Sequence, residues 1–171
     1  MARSKNALRG HFVQAYEPGQ EEPGEEWLEL AKWISNIPDA TEEETEDNAY
    51  YDGDGTPETD VTSVAGGYSP EGTYDPEDPA QALIASLKYK TGEGRKIWHR
   101  VVSADGKKEW VGKATVTDFI AGAGEAGSFE EFSCTIRFDR IPEENDLTSG
   151  AGTTSTTQTL SKTTLKTEDK K

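Results

Sequence analysis

Residues 129–141 alternate with a period of two. Phe132, Cys134, Ile136 and Phe138 fall on one side, and Glu131, Ser133, Thr135, Arg137 and Asp139 fall on the other. Successive side chains of a strand point to opposite faces, so this pattern specifies a β-strand with one face in a core and one in water. A slip of one residue would expose the whole apolar set, which pins the register. A chain built around such a strand needs further strands beside it and a one-sided antiparallel sheet to hold it. The single cysteine, Cys134, sits in the apolar set. It allows no intrachain disulfide and reads as a buried packing thiol.

The neighbouring segments supply the partners. Residues 96–103 and 108–120 read as two strands joined across Ala104-Asp105-Gly106-Lys107, an Asp-Gly hairpin turn. Ahead of them lies the clearest helix signal. Asp78 is a good N-cap, Pro79 suits the first helical position, and Ala80, Leu83, Ile84 and Leu87 recur at helical spacing. Lys88 and Lys90 complement the C-terminal end of that helix, and Gly92 and Gly94 are expected to stop it. Residues 80–141 hold 15 of the chain's 27 Leu, Ile, Val and Phe residues, with 10 basic against 8 acidic side chains. The fold expected is mainly β: a β-sandwich or partial barrel with one flanking α-helix, a long hairpin or loop insertion, and extended terminal arms.

The other segments contrast with this core. Residues 1–26 read as an N-terminal arm, in which His11, Phe12 and Val13 form a short strand and residues 17–24 a breaker-rich acidic loop. Residues 27–35 are ambiguous. Trp27, Leu30, Ala31 and Ile34 fit a helical stripe, and an alternating reading fits a strand less cleanly; the resemblance described below favours the strand. Residues 27–145 form the folded domain, with an insertion over 39–79 that is acidic, rich in Thr, Gly and Tyr, and short of aliphatics. Its Asp52-Gly53-Asp54-Gly55 run contains two turn dipeptides in succession, so the flanks 41–51 and 59–68 pair as an extended hairpin or else form a disordered acidic loop. Residues 142–171 read as a tail, of which 146–171, rich in Thr, Ser and Lys, reads as disordered.

The formal net charge is −15, and it is not spread evenly. Residues 17–78 contain 20 acidic side chains against one basic, Lys32. Affinity for nucleic acid rests on neutralising phosphates with Lys and Arg, and no basic stripe with interleaved aromatics exists here. No apolar run approaches the roughly 18 residues that a membrane-spanning helix requires. The N-terminus lacks the apolar stretch of a signal peptide, so a chain made and kept in a cytoplasm is expected.

Motifs that carry chemistry are weak. Gly122-Ala123-Gly124-Glu125-Ala126-Gly127 matches a dinucleotide fingerprint letter for letter. The segment after it is a strand, not the helix whose N-terminus would hold a pyrophosphate, so it reads as a strand–strand loop. The Asp52–Gly55 run resembles a calcium loop but fits no EF-hand register. With Gly55 at the invariant glycine the first ligand position is Tyr50 and the last Val61; with Gly53 there they are Asn48 and Thr59. His11 and His99 are the only histidines, and His99, inside a strand beside Trp98 and Arg100, reads as a sheet-surface residue. No catalytic motif is present. The chain reads as a non-enzyme without cofactor or metal.

The order of elements carries a resemblance. An early Trp-rich strand precedes Thr41-Glu42-Glu43-Glu44-Thr45-Glu46-Asp47-Asn48, then Tyr50-Tyr51-Asp52-Gly53-Asp54-Gly55, a Thr/Val strand and Tyr68. A helix opens at Asp78-Pro79-Ala80-Gln81, followed by a strand with Trp98 and Arg100, a polar hairpin and a long last strand. Over residues 27–145 this resembles the major tail proteins, or tail tube proteins, of long-tailed phages and prophages of Gram-positive bacteria. The Tyr-Tyr-Asp-Gly-Asp-Gly segment and the Asp-Pro-Ala-Gln helix start are its most specific parts.

The resemblance implies a virion protein that assembles in the host cytoplasm into homo-hexameric rings. The rings stack into a tube, non-contractile by resemblance, through which DNA is ejected. Part of each subunit's sheet joins its neighbours in an inner barrel, while loops and arms meet adjacent rings. Tape measure, tail terminator and distal tail proteins are the implied partners, with DNA passing unbound and no membrane contact. The candidate lumen- or interface-lining residues are Glu42, Glu43, Glu44, Glu46, Asp47, Asp52, Asp54, Glu58 and Asp60. Carboxylates along the path of DNA repel its phosphates and oppose sticking. The alternative function is a β-sandwich module binding carbohydrate or a host surface, with Trp27, Trp33, Trp98 and Trp110 as stacking rings.

Overall fold

The computed structural model describes residues 3–147. Eleven strands and one α-helix follow in order: β1 (Gly10–Ala15), β2 (Leu28–Glu29), β3 (Ile34–Asn36), β4 (Glu42–Asn48), β5 (Glu58–Ala65), β6 (Gly67–Tyr68), β7 (Glu71–Thr73), α1 (Pro79–Ser86), β8 (Lys96–Val102), β9 (Lys108–Ala123), β10 (Glu131–Phe138) and β11 (Glu143–Asp146). Nine strands form one antiparallel sheet in the order β2-β1-β8-β9-β10-β7-β3, with β11 beside β9 and β6 beside β10. The other two, β4 and β5, form a separate two-stranded sheet.

The large sheet is curled into a partial barrel. The strands at its two ends, β2 and β3, are joined by residues 30–33 alone, so the ends must lie close together. A bulge helps the curl. Ser133 of β10 faces Ile120 while Thr135 faces Thr117, so β9 carries extra residues there, and Asp118 takes φ 53°. Bulges of this kind bend a strand and raise its twist.

The core lies inside the curl. Phe132, Cys134, Ile136 and Phe138 of β10 are buried with Ile97 and Val101 of β8, Ala114 and Val116 of β9, Val13 of β1 and Leu30. Each large side chain buried in this way contributes about 1.5–3 kcal/mol. Burial pushes the Cys134 thiol up to about 12, which leaves it an unreactive packing group. α1 packs against β1, β2 and β9 and presents Ala80, Ile84 and Leu87 to the core. The Asp78 carboxylate caps it, accepting from the Gln81 amide at 3.0 Å. Gln81 is fully buried, and its side-chain amide donates to the carbonyls of Lys32 at 2.8 Å and Thr73 at 3.3 Å. It thereby ties the helix to β7 and to the link over residues 30–33 that joins the two ends of the sheet. The helix closes at Ser86, before the Gly92 and Gly94 expected to stop it.

Four sequence readings change. First, the segment read as an arm contributes β1, which lies between β2 and β8 with Val13 fully buried. Second, residues 27–35 form neither a continuous strand nor a helix. They are two short strands separated by a turn at Trp33, whose φ of 59° lets the chain pass from one end of the sheet to the other. The Trp33 carbonyl accepts from the Thr73 amide at 3.0 Å, and Gly72 clears the way, because a Cβ there would sit 2.1 Å from that carbonyl oxygen. Third, His99 is fully buried, not on the sheet surface, because strand parity groups it with Ile97 and Val101. Fourth, residues 143–146, read as part of a tail, pair with Lys108–Val111 of β9. The rest of the tail reading, residues 148–171, lies outside the described residues.

Candidate functional site

The β4–β5 hairpin is the feature most unlike the rest of the molecule. Its residues are exposed along both strands except at the ends, Asn48 and Ala65. It is rooted firmly. Asp39 bridges Tyr68, the Ala40 amide donates to the Gly67 carbonyl at 2.9 Å, and Arg137 Nη2 meets Glu42 Oε1 at 2.6 Å. The Asp39 carboxyl is held below its usual range by hydrogen bonds from Thr41. From that root, seven residues of β4 rising about 3.3 Å each carry the hairpin roughly 20 Å outward.

The tip explains the double Asp-Gly signal. Gly55 takes φ 82°, a conformation that glycine adopts without steric cost. Asp54 Oδ1 accepts from the Thr56 amide at 2.9 Å, and hydrogen bonding from the Thr56 side chain, with that amide bond, lowers its carboxyl pKa. Asp52 lies in the same exposed turn, beside the exposed rings of Tyr50 and Tyr51. Among the described residues, no group of three or more His, Cys, Asp and Glu side chains is arranged to hold a metal ion.

Register divides the remaining predicted carboxylates between two faces. Glu42 faces Ala65, Glu43 faces Val64 and Glu44 faces Ser63; beyond a bulge, Thr45 faces Val61, Glu46 faces Asp60, Asp47 faces Thr59 and Asn48 faces Glu58. Directly opposed residues share a face, and alternate residues along a strand do too. One face therefore carries Glu42, Glu44, Glu46, Glu58 and Asp60, with Asn48, Ser63 and Ala65. The other carries Val61, Val64, Thr45 and Thr59, with Glu43 and Asp47. Side-chain bonds agree with this division: Ser63 Oγ donates to Glu44 Oε2 at 2.9 Å on the first face, and Thr59 Oγ1 donates to Asp47 Oδ1 at 2.6 Å on the second. Thr62 is the bulge residue, and its hydroxyl donates to the Glu44 carbonyl at 3.1 Å.

A second surface has no counterpart in the sequence reading. The pairing of β8 with β9 ends at Thr115, so beyond the Arg95–Val116 contact the edge of β9 over residues 117–123 has no strand beside it among the described residues. Exposed Ile120 lies on this stretch and exposed Phe129 in the loop that follows. The glycine-rich motif at 122–127 ends β9 and turns toward β10, with Gly122 and Gly124 at positive φ, as a strand–strand loop requires. Hairpin pairing partners are legible from a turn signal; an edge left open by a neighbour's length is not.

The histidines form a buried aromatic cluster at the root of the hairpin. The His99 ring stacks on Phe138 at 5.1 Å and on His11 at 5.8 Å, and Tyr68 meets His11 edge-on at 4.9 Å. Burial, with Arg9 nearby, lowers His11 to about 4; burial, with His11 nearby, lowers His99 to about 3. Both ring nitrogens of His99 are buried without a hydrogen-bond partner among the described residues. A neutral imidazole packed among aromatic rings and lowered so far by burial exchanges no proton near neutral pH. Of the four tryptophans, Trp33 alone is largely exposed; Trp98 is buried, and Trp110 Nε1 donates to Glu144 at 2.9 Å. They offer no shared stacking platform.

Compared with known proteins, the sequence matches no protein-family model and no curated protein. Its fold does match solved structures. A chain of the tail of an empty gene transfer agent particle, a tail with C6 symmetry, superposes with TM-score 0.61 at 13% identity, covering 84% of this chain and 99% of that one. A chain of the virion of a native gene transfer agent particle superposes with TM-score 0.54 at 12% identity, covering 79% of this chain and 95% of that one. At these identities the likeness is one of fold: the curled sheet with its one helix is an architecture found in phage-like tails.

Proposed function

We propose that this chain is a structural subunit of a virion tail and that its copies form six-membered rings stacked into a tube. The observation that carries the proposal is the match over 99% of a chain belonging to a C6-symmetric tail. The sequence resemblance to tail tube proteins supports it independently, and on that resemblance rest the finer points: long-tailed phages or prophages of Gram-positive bacteria, assembly in the host cytoplasm, and tape measure, tail terminator and distal tail proteins as partners.

Physical chemistry supports it as well. An isolated two-stranded hairpin is at best marginally stable in water, and β4–β5 stands alone with both faces exposed. An open strand edge is a template for pairing with another chain, and closing strands around a ring removes that hazard. A ring uses a head-to-tail interface that joins two unlike patches of one chain. DNA is the cargo of such a tube. The acids Glu42, Glu43, Glu44, Glu46, Asp47, Asp52, Asp54, Glu58 and Asp60 line its path or the contacts between subunits, and those facing the lumen repel phosphates. The carbohydrate-binding alternative has no observation in its favour, since the tryptophans do not present exposed rings together.

Negative-stain imaging of the purified protein under assembly conditions tests the proposal. Rings or tubes about 100 Å wide, the scale of six such domains, are expected. A protein that stays monomeric at every concentration refutes it.

A further inference from the structure

We infer that the His11–Tyr68–His99 cluster is an acid-released latch. It fixes the direction of the β4–β5 hairpin, and a proton taken up by His11 frees the hairpin while the sheet stays folded. The inference concerns the single chain and stands apart from the tail-subunit reading.

The chain leaves the large sheet for the hairpin over residues 38–41 and returns to it over residues 65–69. The two crossings meet around Tyr68. Asp39 bridges it, the Ser69 amide donates to the Pro38 carbonyl at 3.0 Å, and the Ala40 amide donates to the Gly67 carbonyl at 2.9 Å. The Tyr68 ring in turn stands edge-on to His11 at 4.9 Å and to His99 at 5.8 Å. The crossings are thus seated on the core through one ring and two imidazoles. The further tie that aims the hairpin, Arg137 to Glu42, is exposed on both sides and weak in water.

The two imidazoles are placed differently. His99 is sealed, with both ring nitrogens buried. His11, 5% exposed, lines a cavity of about 560 Å³ enclosed by the start of β1, the 30–39 link and Tyr68. Acid therefore reaches His11 first. Arg9 and Asp39 are the charged side chains that share this cavity with it, and the 30–38 link lines it with uncharged residues only. β6 presents Tyr68, and β8 presents His99, itself stacked on Phe138 of β10. On β2, Glu29 pairs with Phe12 and so shares the opposite face of β1; α1 buries no charged side chain.

A charged imidazolium in this position lacks water and has Arg9 beside it, and both disfavour it. It regains water when a covering element moves. Tyr68 gives way most easily, because β1 and β8 pair along the whole of β1 whereas β6 is two residues long. Asp39 holds the first crossing through its bonds from Thr41, which also keep its carboxyl ionised in mild acid. Pairing of that carboxylate with the imidazolium takes it off Thr41 and loosens the crossing further. Latched His11 titrates at about 4, and a histidine returned to water near 6.5. The latched pKa is depressed, so the latch is at full strength above about pH 6.5 and is lost as pH falls through 4. From pH 7 to 4 the released-to-latched ratio rises roughly a hundredfold.

The test measures the hairpin's direction in the full chain, at a concentration where sedimentation velocity shows monomers. Nitroxide labels on Tyr51→Cys near the tip and Lys107→Cys in the β8–β9 turn report one distance; Cys134 is buried and stays unlabelled. The tryptophans all lie outside residues 42–65, so their fluorescence reads the sheet and not the hairpin. A single narrow distance is expected at pH 7. It is expected to broaden between about pH 6 and 4, before the fluorescence changes. Adding Tyr68→Ala is expected to broaden it already at pH 7 with the parent's fluorescence. Adding His11→Phe is expected to keep it narrow to roughly one pH unit lower than in the parent. A parent distance that holds until the fluorescence reports unfolding, or that is broad at pH 7, overturns the inference. So does a Tyr68→Ala tip that stays fixed, or a His11→Phe chain that releases at the parent's pH. Should His11→Phe fail to fold, the parent titration and Tyr68→Ala decide.

Discussion

The curled sheet and the β4–β5 hairpin are both antiparallel β-structure, yet their strands are held by different forces. β10 alternates buried and exposed residues and sits between β9 on one side and β6 and β7 on the other. β4 has no buried residue, one strand partner, and a sequence of carboxylates that ordinary β-propensity disfavours. Burial specifies the first. The second rests on its Gly55 turn, its register and the root contacts at Asp39, Ala40 and Glu42. The lesson is that a strand can be dictated by what it buries or by where its ends are tied. Only the second kind leaves both faces free for another molecule.

The largest test of that contrast is truncation in each region. Phe132→Ala should cost about 3–5 kcal/mol in denaturant unfolding, the range for a fully buried aromatic. Val61→Ala should stay within about 0.5 kcal/mol for the monomer. Comparable losses would show that the hairpin is part of the cooperative core.

Acid comes next. An unfolded histidine takes up its proton near 6.5, whereas folded His11 resists until about 4 and His99 until about 3. The folded pKa values are depressed. Stability is therefore full above about pH 6.5 and is lost as pH falls toward 4, by up to about 1.4 kcal/mol per unit for each histidine. Thermal midpoints recorded from pH 7 to 4.5 should fall, and His99→Phe should flatten part of the slope. A profile identical in the variant would mean that the cluster does not govern acid sensitivity.

Asp78→Ala removes the helix cap and should cost about 1 kcal/mol by the same denaturant measurement. The smallest effect belongs to the hairpin root. Arg137→Ala breaks an ion pair exposed on both sides and should shift monomer stability by less than about 1 kcal/mol. Its effect on assembly should be larger than its effect on the thermal midpoint, because the pair aims the hairpin.

Much of the sheet was legible because its signals are local. The alternation around Phe132, the Asp105-Gly106 turn and the Asp78-Pro79 helix start each depend on a few neighbouring residues, and each is observed where expected. Two misreadings came from long-range contacts. Trp33 adopts φ 59° without being a glycine because the two sheet ends meet there and Gly72 makes room. β11 forms because β9 is 16 residues long and extends past the end of β10. The burial of His99 follows from its parity with Ile97 and Val101 in β8, a positional signal that the polarity of the imidazole masks.

By itself the sequence determines a one-sided antiparallel sheet and a capped helix, since each follows from periods and turn chemistry within a short window; it leaves the acidic segment open between a hairpin and a disordered loop, and the root contacts at Asp39, Ala40 and Glu42 decide for the hairpin. The tertiary structure alone decides which side of the hairpin is apolar. Val61 and Val64 have opposite parity and would point to opposite faces of a regular strand. The bulge at Thr62, visible only once β5 is set against β4, turns both to the same face and leaves the paired carboxylates on the other.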